Sequence, residues 1–539
     1  MSAQGLDAVI IGGGHNGLVC AWYLARRGLK VAVFERRHLL GGAAVTEEFV
    51  PGFRNSTASY TVSLLNPKII ADMDLARHGL RIVERRVANF LPTEDGRALV
   101  MGGGETEASI AQFAPGDVSR FADYSRRLEV IADLLRALIL TVPPNRTEGT
   151  LSGLGELIRA AGLGHRLSRL DMEAQRDLLT LFTRSAGEWL DDTFEAEPLK
   201  AVLGFDAVVG NFASPYTPGS AYVLLHHVFG EVNGRKGAWG HAIGGMGAIT
   251  QAMAAACAEA GVQLFTDSAV CEVLSEKGRA TGIVLDDGRT IRARCVVANV
   301  HPKLLFDKLV DPAVVPETFS ARIRQHKSGS GTFRMNVALS ALPRFTARPE
   351  GTDHLTAGII IAPSLAYMDR AWREAWDNGW SSQPIVEMLI PSTLDDSLAP
   401  EGAHVASLFC QHVRPDLGKD TNGMRADWPD TRERIARLMI ETVDRHAPGF
   451  AASVVGHMAL GPIDLEERFG LVDGDIFHGR LSLDQLFSAR PVLGHADHRM
   501  VLPGLYLCGS GAHPGGGVTG APGHNAAGVI LKDFRARRL

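Results

Sequence analysis

Asp7-Ala-Val-Ile-Ile-Gly-Gly-Gly-His-Asn-Gly17 is the stretch that decides the fold. Residues 7–11 form a short apolar run, as expected of a strand buried on both faces. Gly12-x-Gly14-x-x-Gly17 makes the turn, residues 18–27 have helical composition, and Gly28 stops the helix. Residues 30–34 (KVAVF) are a second buried strand, ending at Glu35. Together they predict one βαβ unit. In that setting Gly12 permits the tight turn, Gly14 lets a pyrophosphate approach the backbone, and Gly17 lets helix and strand pack closely. The helix N-terminus presents N–H groups and a positive dipole end to the phosphates. Glu35 stands where a ribose hydroxyl is read, which favours a free 2′-hydroxyl, although Arg36 and Arg37 follow at once.

Composition narrows what such a unit belongs to. The chain has 539 residues, 45% hydrophobic and 21% charged, enough apolar mass for a sizeable core and too little charge for wholesale disorder. Lys and Arg number 55 against 60 Asp and Glu, a net charge of −5 without a long basic run. That argues against a nucleic-acid partner. Cys20, Cys257, Cys271, Cys295, Cys410 and Cys508 include no C-x-x-C pair and no zinc-ligand spacing. No disulfide scaffold and no metal site is expected, and the compartment expected is reducing and cytoplasmic. The sequence begins almost directly on a strand, without the pattern of a signal or transit segment. The apolar stretch 128–142 is broken by Asp133 and Arg136. It is too short and too charged to span a bilayer and reads as a core helix, with peripheral contact at a membrane surface as the alternative. Glycine is in excess, 59 residues, about 11% against a usual ~7%.

The glycines fall in motifs. Gly41-Gly42 follows Glu35 closely; NAD does not need such a pair, whereas in FAD proteins this loop returns over the pyrophosphate. Residues 505–528, LYLCGSGAHPGGGVTGAPGHNAAG, run from a strand through a glycine-dense loop into a helix. Such a loop lets backbone N–H groups reach a flat ring and aims a helix N-terminus at it, as a reduced flavin requires. Gly237-Ala-Trp-Gly240 and Gly244-Gly-Met-Gly247 bring backbone close to the cofactor but lack the Gly-x-Gly-x-x-Gly spacing, so one nucleotide site is expected. His226, His227, His241, His412, His478, His513 and His524 are acid/base candidates. His513 and His524 in the glycine loop, with Trp239, are the preferred catalytic candidates. No nucleophile elbow is present.

Between these motifs, residues 60–230 read as mainly helical. Residues 249–260 read as a helix, 262–265 as a strand, and 269–275, 281–285 and 290–298 as a meander turning at Asp287-Gly288. Strands are predicted over 332–339, 355–361, 384–390 and 404–412, in an antiparallel sheet. Residues 427–446 predict a helix with Pro429 in its first turn and an apolar stripe of Ile435, Leu438, Met439 and Val443. A final strand is expected over 505–507 and a helix from about 525.

The glycine motifs, in this order, resemble those of the flavoprotein superfamily of phytoene desaturases and amine oxidases. FERRHLLGGAAVTEEFVPGF (34–53), Thr57-Ala-Ser-Tyr60, SLLNP (63–67) and LCGSGAHPGGGVTGAPGHNAA (507–527) are similar to the pyridine nucleotide-disulphide oxidoreductase domain-containing protein 2 family. The resemblance implies an α/β fold. A Rossmann-type, GR2-like FAD-binding domain from residues 1–60, 231–305 and 496–539 would interleave with an α+β substrate domain from 61–230 and 306–495. It implies that Gly12, Gly14, Asn16 and Gly17 hold the pyrophosphate and Glu35 the adenosine ribose. Gly41, Gly42 and Ala43 would cover the phosphates, and Val270 would meet adenine through its backbone. Gly509, Gly516, Gly517 and Val518 would line the isoalloxazine. Two departures stand out: no C-x-x-C supports dithiol chemistry, and Ala43 replaces the arginine that often follows the diglycine in amine oxidase relatives. The implied reaction takes a hydride from a C–H bond of a small hydrophobic substrate to flavin N5, with oxygen or a quinone as electron acceptor. A polyene desaturase or isomerase and a FAD-binding regulatory protein are the alternatives. A homo-oligomer is compatible with all three.

Overall fold

The structure, a computed structural model, describes residues 5–145, 160–421 and 423–539. The strand Leu6–Ile11 runs into the helix His15–Ala25 and returns as Val31–Phe34, parallel to the first. Almost every side chain of both strands is buried, hence apolar runs without alternation. Gln263–Phe265 pairs with Val31–Phe34, and Thr290–Ala298 with Leu6–Ile11, both parallel. Leu505–Leu507 joins alongside residues 296–298. The strand Thr290–Ala298 has two roles. Residues 290–292 close an antiparallel meander with Arg279–Leu285 and Val270–Glu276, and residues 293–298 enter the parallel core.

The helices Met246–Glu259 and Ala521–Arg535 pack on His15–Ala25. Gly523 permits the close crossing, since a Cβ there would stand 2.1 Å from the Asn16 carbonyl oxygen. This last helix starts four residues ahead of the expected position. Pro522 reads as loop in the sequence, yet in a first turn its missing N–H costs no bond.

A second sheet has the order Val454–Leu460, Thr332–Leu339, His404–Val413, Trp380–Leu389, Gly358–Ile361, Val87–Pro92, Ala98–Gly102. It is antiparallel except where Gly358–Ile361 meets Val87–Pro92. This corrects two expectations. Residues 60–230 are not mainly helical throughout: they supply the hairpin Val87–Pro92/Ala98–Gly102, turning near Asp95-Gly96, and the strand Ile82–Glu84, which pairs with Gly240–Ala242. The strand expected over 355–361 is shorter, because Asp353–Thr356 forms a 3-10 turn. In Thr332–Leu339 every residue is buried. Phe333, Met335, Val337 and Leu339 join the core under the helix Trp428–His446. Arg334 and Asn336, on the opposite face, bond to the hairpin Thr46–Val50/Phe53–Ser56.

Helices between residues 117 and 228 form a further layer around one apolar cluster. Among them, Asp117–Ile139 buries Leu128, Ile131, Ala132 and Ile139, the core role read for residues 128–142. No helix among the described residues is long and apolar enough to cross a membrane.

Candidate functional site

A cavity of about 500 Å³ runs from the first βαβ turn to the second sheet. At the turn, Gly14 caps the helix His15–Ala25 with no side-chain acceptor, which leaves the first helical N–H groups for a ligand. Two ties shape this cradle. Glu35 accepts from the Gly13 N–H at 2.8 Å through one oxygen and from the Arg37 N–H at 3.0 Å through the other. Asn299, at the end of Thr290–Ala298, donates Nδ2–H to the Gly12 carbonyl at 3.1 Å. The diglycine folds back over the turn: the Gly41 N–H donates to the Gly13 carbonyl at 2.9 Å, and Gly42 takes φ 58°. A Cβ on Gly42 would lie 3.1 Å from the Gly14 Cα.

At the far end the walls are aromatic: Tyr60, Trp239, Phe409 and Phe477, with Leu64, Val209 and Ile476 between them. Tyr60 is clamped. Its ring stacks on Phe409 at 4.9 Å, the Arg334 guanidinium lies 4.7 Å from its centre, and its hydroxyl donates to Glu387 Oε2 at 2.5 Å. Arg334 is itself spent on the carbonyls of Ala58 and Leu408 at 2.9 Å. Arg85 reaches the Thr61 hydroxyl and lies 5.7 Å over Trp239. Gly358 leaves room for this cluster, since a Cβ there would sit 2.7 Å from Glu387 Oε1 and 3.4 Å from Arg85 NH1. Burial raises the Glu387 carboxyl against the opposing pull of Arg85, Tyr60 and Arg334. Burial and then the Glu387 charge push Asp206 up to about 8. Burial lowers His227, another wall residue, to about 4.

Arg490 is fully buried and, among the described residues, donates to backbone carbonyls, those of Phe477 and Ser510 at 2.7 Å among them. It fastens the turn carrying Phe477 and His478 to the glycine-dense loop.

Of the residues singled out in the sequence, Gly12, Gly14, Asn16, Glu35, Gly42, Ala43, His227, Trp239, Val270, His478, Gly517 and Val518 line this cavity. Gly17 lies beneath it, against Gly12 and Asn299; Gly41 backs onto Thr250; Gly509 packs on Asn299 and Gly516 on Phe477. His513 and His524 are elsewhere. His513 is buried with Nε2 on the Leu138 carbonyl at 3.3 Å, and its ring meets Phe487. His524 packs edge-on to Tyr23 in a separate pocket. His241 is an anchor, bonded at 3.0 Å to Asp395, which also takes the Gly244 N–H at 2.6 Å. Tyr60, Glu387, Arg85, Arg334, Asn299, Arg490 and Phe477 were not picked out as site residues. For most of them no local motif exists. The one usable signal was the Thr57–Tyr60 segment of the family resemblance.

The fold and a glycine cradle opening onto an aromatic chamber define a class, and the comparisons give it a name. Residues 17–441 match the family of flavin containing amine oxidoreductases, and the chain belongs to that family: it is an FAD-dependent oxidoreductase. It is 40% identical, over 98% of its length and 94% of the relative's, to pyridine nucleotide-disulfide oxidoreductase domain-containing protein 2 of Rattus norvegicus. It is 25% identical to a limonene dehydrogenase subunit of Castellaniella defragrans, over 98% and 95% of the two chains. Among solved structures, an oxidoreductase from Methanosarcina mazei shares the fold with a TM-score of 0.60 at 15% identity, covering 98% of this chain and 100% of that one.

The residues present fit FAD. The uncapped helix and the bare Gly12–Gly14 and Gly42 surfaces suit a pyrophosphate, and Glu35, on the cavity wall, suits a ribose. His15 Nε2 and Asn16 Oδ1, both on wall residues, are buried without a partner among the described residues. They offer a donor or acceptor to a polar ligand.

Proposed function

We propose that this protein takes a hydride from a C–H bond of a small hydrophobic molecule held at the aromatic end of the cavity while the neighbouring carbon or nitrogen gives up a proton to solvent, leaving a C=C or C=N product. Oxygen or a quinone then collects the electrons. The observation that carries this reading is continuity: the glycine cradle and the Tyr60–Trp239–Phe409 chamber belong to one cavity. FAD, when bound, supplies the hydride acceptor. The chain's own residues bind and orient. Gly12, Gly14 and the helix N-terminus take the phosphates, and Glu35 the ribose. The clamped Tyr60 ring and Trp239 give flat apolar walls of fixed position, and Leu64, Val209 and Ile476 keep water from the reacting carbon. A relative named as a dehydrogenase of limonene, a hydrocarbon, supports an apolar substrate. The sequence carries one strand–glycine–helix nucleotide motif, which supports an acceptor other than a bound nicotinamide.

The test is the visible spectrum of the purified holoprotein, followed anaerobically as hydrophobic donors are added. Bleaching of the flavin bands by one donor, with recovery on admitting oxygen or a soluble quinone, is the expected result. Bleaching by polyenes alone narrows the reaction to a polyene desaturase. Flavin that no hydrophobic donor reduces, across terpenes, polyenes and long-chain amines, refutes the oxidase reading in favour of a flavin-binding protein with little turnover.

A further inference from the structure

Beside Phe477, three imidazoles meet with nitrogens for which the fold supplies no partner. His301 and His326 are 0% and 3% exposed, and His478 lines the cavity. The ring centre of His301 is 5.7 Å from that of His326 and 5.6 Å from that of His478. Among the described residues, His301 Nε2, His326 Nδ1 and His478 Nδ1 are buried without a hydrogen-bond partner. Two tautomers follow from the remaining nitrogens. The Lys303 N–H donates to His301 Nδ1 at 3.1 Å, so the proton of His301 is on Nε2. His326 Nε2 faces the His478 carbonyl at 3.3 Å, the larger of two carbonyl contacts of this ring, the other being Pro491; a carbonyl only accepts, so the proton of His326 is placed on Nε2, and Nδ1, which has no partner within hydrogen-bond distance among the described residues, is the acceptor. All three rings are neutral, since burial lowers His326 to about 4, His478 to about 3 and His301 well below the usual range.

We propose that one internal water molecule sits among these three rings, accepting from His301 Nε2–H and donating to His326 Nδ1 and His478 Nδ1. The count closes: both water protons and one lone pair are used, and each of the three nitrogens gains its partner. The two ring separations leave room for it: a water about 2.9 Å from a nitrogen stands about 4 Å from that ring's centre, and centres 5.7 and 5.6 Å apart fall within the reach of one such water. A polar site with three partners is what a buried water requires. The water forces His478 into the Nε2–H tautomer. His301 and His326 are thus positioning residues that make His478 a hydrogen-bond donor toward the cavity. The part that concerns the occupant rests on the proposed function; the water site stands without it.

Two measurements on the holoprotein test this. A high-resolution crystal structure is expected to show ordered density within hydrogen-bond distance of all three nitrogens. Selective 15N-histidine labelling is expected to report the Nε2–H tautomer for His301, His326 and His478 at neutral pH. His301→Phe removes the donor and is expected to empty the water site and shift the His478 tautomer. His301→Gln, which keeps an N–H at the Nε2 position, restores both. A dry site with His301 bonded ring to ring, a His478 proton on Nδ1, or a His478 signal unmoved in His301→Phe overturns the proposal. Should His301→Phe fail to fold, the wild-type density and tautomers decide. None of these readouts depends on a substrate, so failure here is separable from failure of the oxidoreductase reading.

Discussion

Replacing Gly17 by alanine puts a methyl group where the structure has no room. The added Cβ would stand 2.4 Å from the Gly12 carbonyl oxygen and 2.9 Å from Asn299 Nδ2. A carbon normally approaches such an oxygen to about 3.3 Å, so the contact is short by about 0.9 Å. The atom it meets is backbone, and that same oxygen accepts the Asn299 bond. In an unconstrained helix interior, Gly to Ala gains about 1 kcal/mol. Here overpacking costs about 1–3 kcal/mol and the disturbed Asn299 bond about 1 kcal/mol. The net expectation is a loss of about 1–3 kcal/mol in urea unfolding. Because the collision tilts the helix end off the glycine turn, FAD affinity is expected to fall at least about tenfold, or about 1.4 kcal/mol. Gly528 in the helix Ala521–Arg535 is the control: nothing lies within 4 Å of its added Cβ, so Gly528→Ala is expected to stabilise by about 0.5–1 kcal/mol. A Gly17→Ala protein as stable as Gly528→Ala, with FAD affinity intact, would falsify the packing argument.

Other outcomes follow from the same geometry. Arg490→Met strips the carbonyls of Phe477, Gly479 and Ser510 of their donor and is expected to cost about 1–3 kcal/mol for each acceptor left unsatisfied; a total loss under 1 kcal/mol in denaturant titration counts against its fastening role. Tyr60→Phe keeps the stack but leaves Glu387 Oε2 without its donor; unfolding is expected to ease by about 1–3 kcal/mol while FAD affinity holds. His524→Gln, outside the main cavity, is expected to leave flavin reduction unchanged, and a large drop in reduction rate would return His524 to the chemistry. Burial lowers His15 and His326 to about 4 and His478 to about 3, against about 6.5 in the unfolded chain. Below about pH 6.5 the unfolded chain binds the extra protons, so stability is expected to fall as pH drops toward 4, by up to about 1.4 kcal/mol per unit for each ring. Stability that stays level from pH 7 to 5 contradicts their buried neutrality.

The nucleotide half was legible because its chemistry is written locally. The Gly12–Gly17 spacing, Glu35 and Gly41-Gly42 each state a backbone requirement within a few residues of the next, and all but Gly17 and Gly41 of those singled out there reach the cavity wall. The meander was legible for the same reason, with Asp287-Gly288 marking its turn. The chamber was not. Tyr60 and Glu387 are 327 residues apart in the chain, and nothing in either neighbourhood announces the bond. Histidines proved a poor guide, because a side chain set inside a glycine-dense loop is as readily turned into the core as toward a ligand. His513 is held on the Leu138 carbonyl. Two of the seven candidates, His227 and His478, are on the wall; His478 is there because the Arg490 bonds to the turn around it place it there. The hairpin over residues 87–102 was lost among helices although Asp95-Gly96 carries the same turn signal as Asp287-Gly288.

The pairing of Leu505–Leu507 with residues 296–298 sets a timetable for synthesis. Some 200 residues must leave the ribosome between the two strands, roughly 10–40 s of elongation at about 5–20 residues per second. Throughout that interval Val296, Val297 and Ala298 have an unpaired edge, and the glycine-dense loop does not yet exist. The nascent chain is then an incomplete sheet with an apolar rim, the kind of species that chaperones hold and proteases test. The part of the cavity wall that Ser510, Gly517 and Val518 supply is thus completed last.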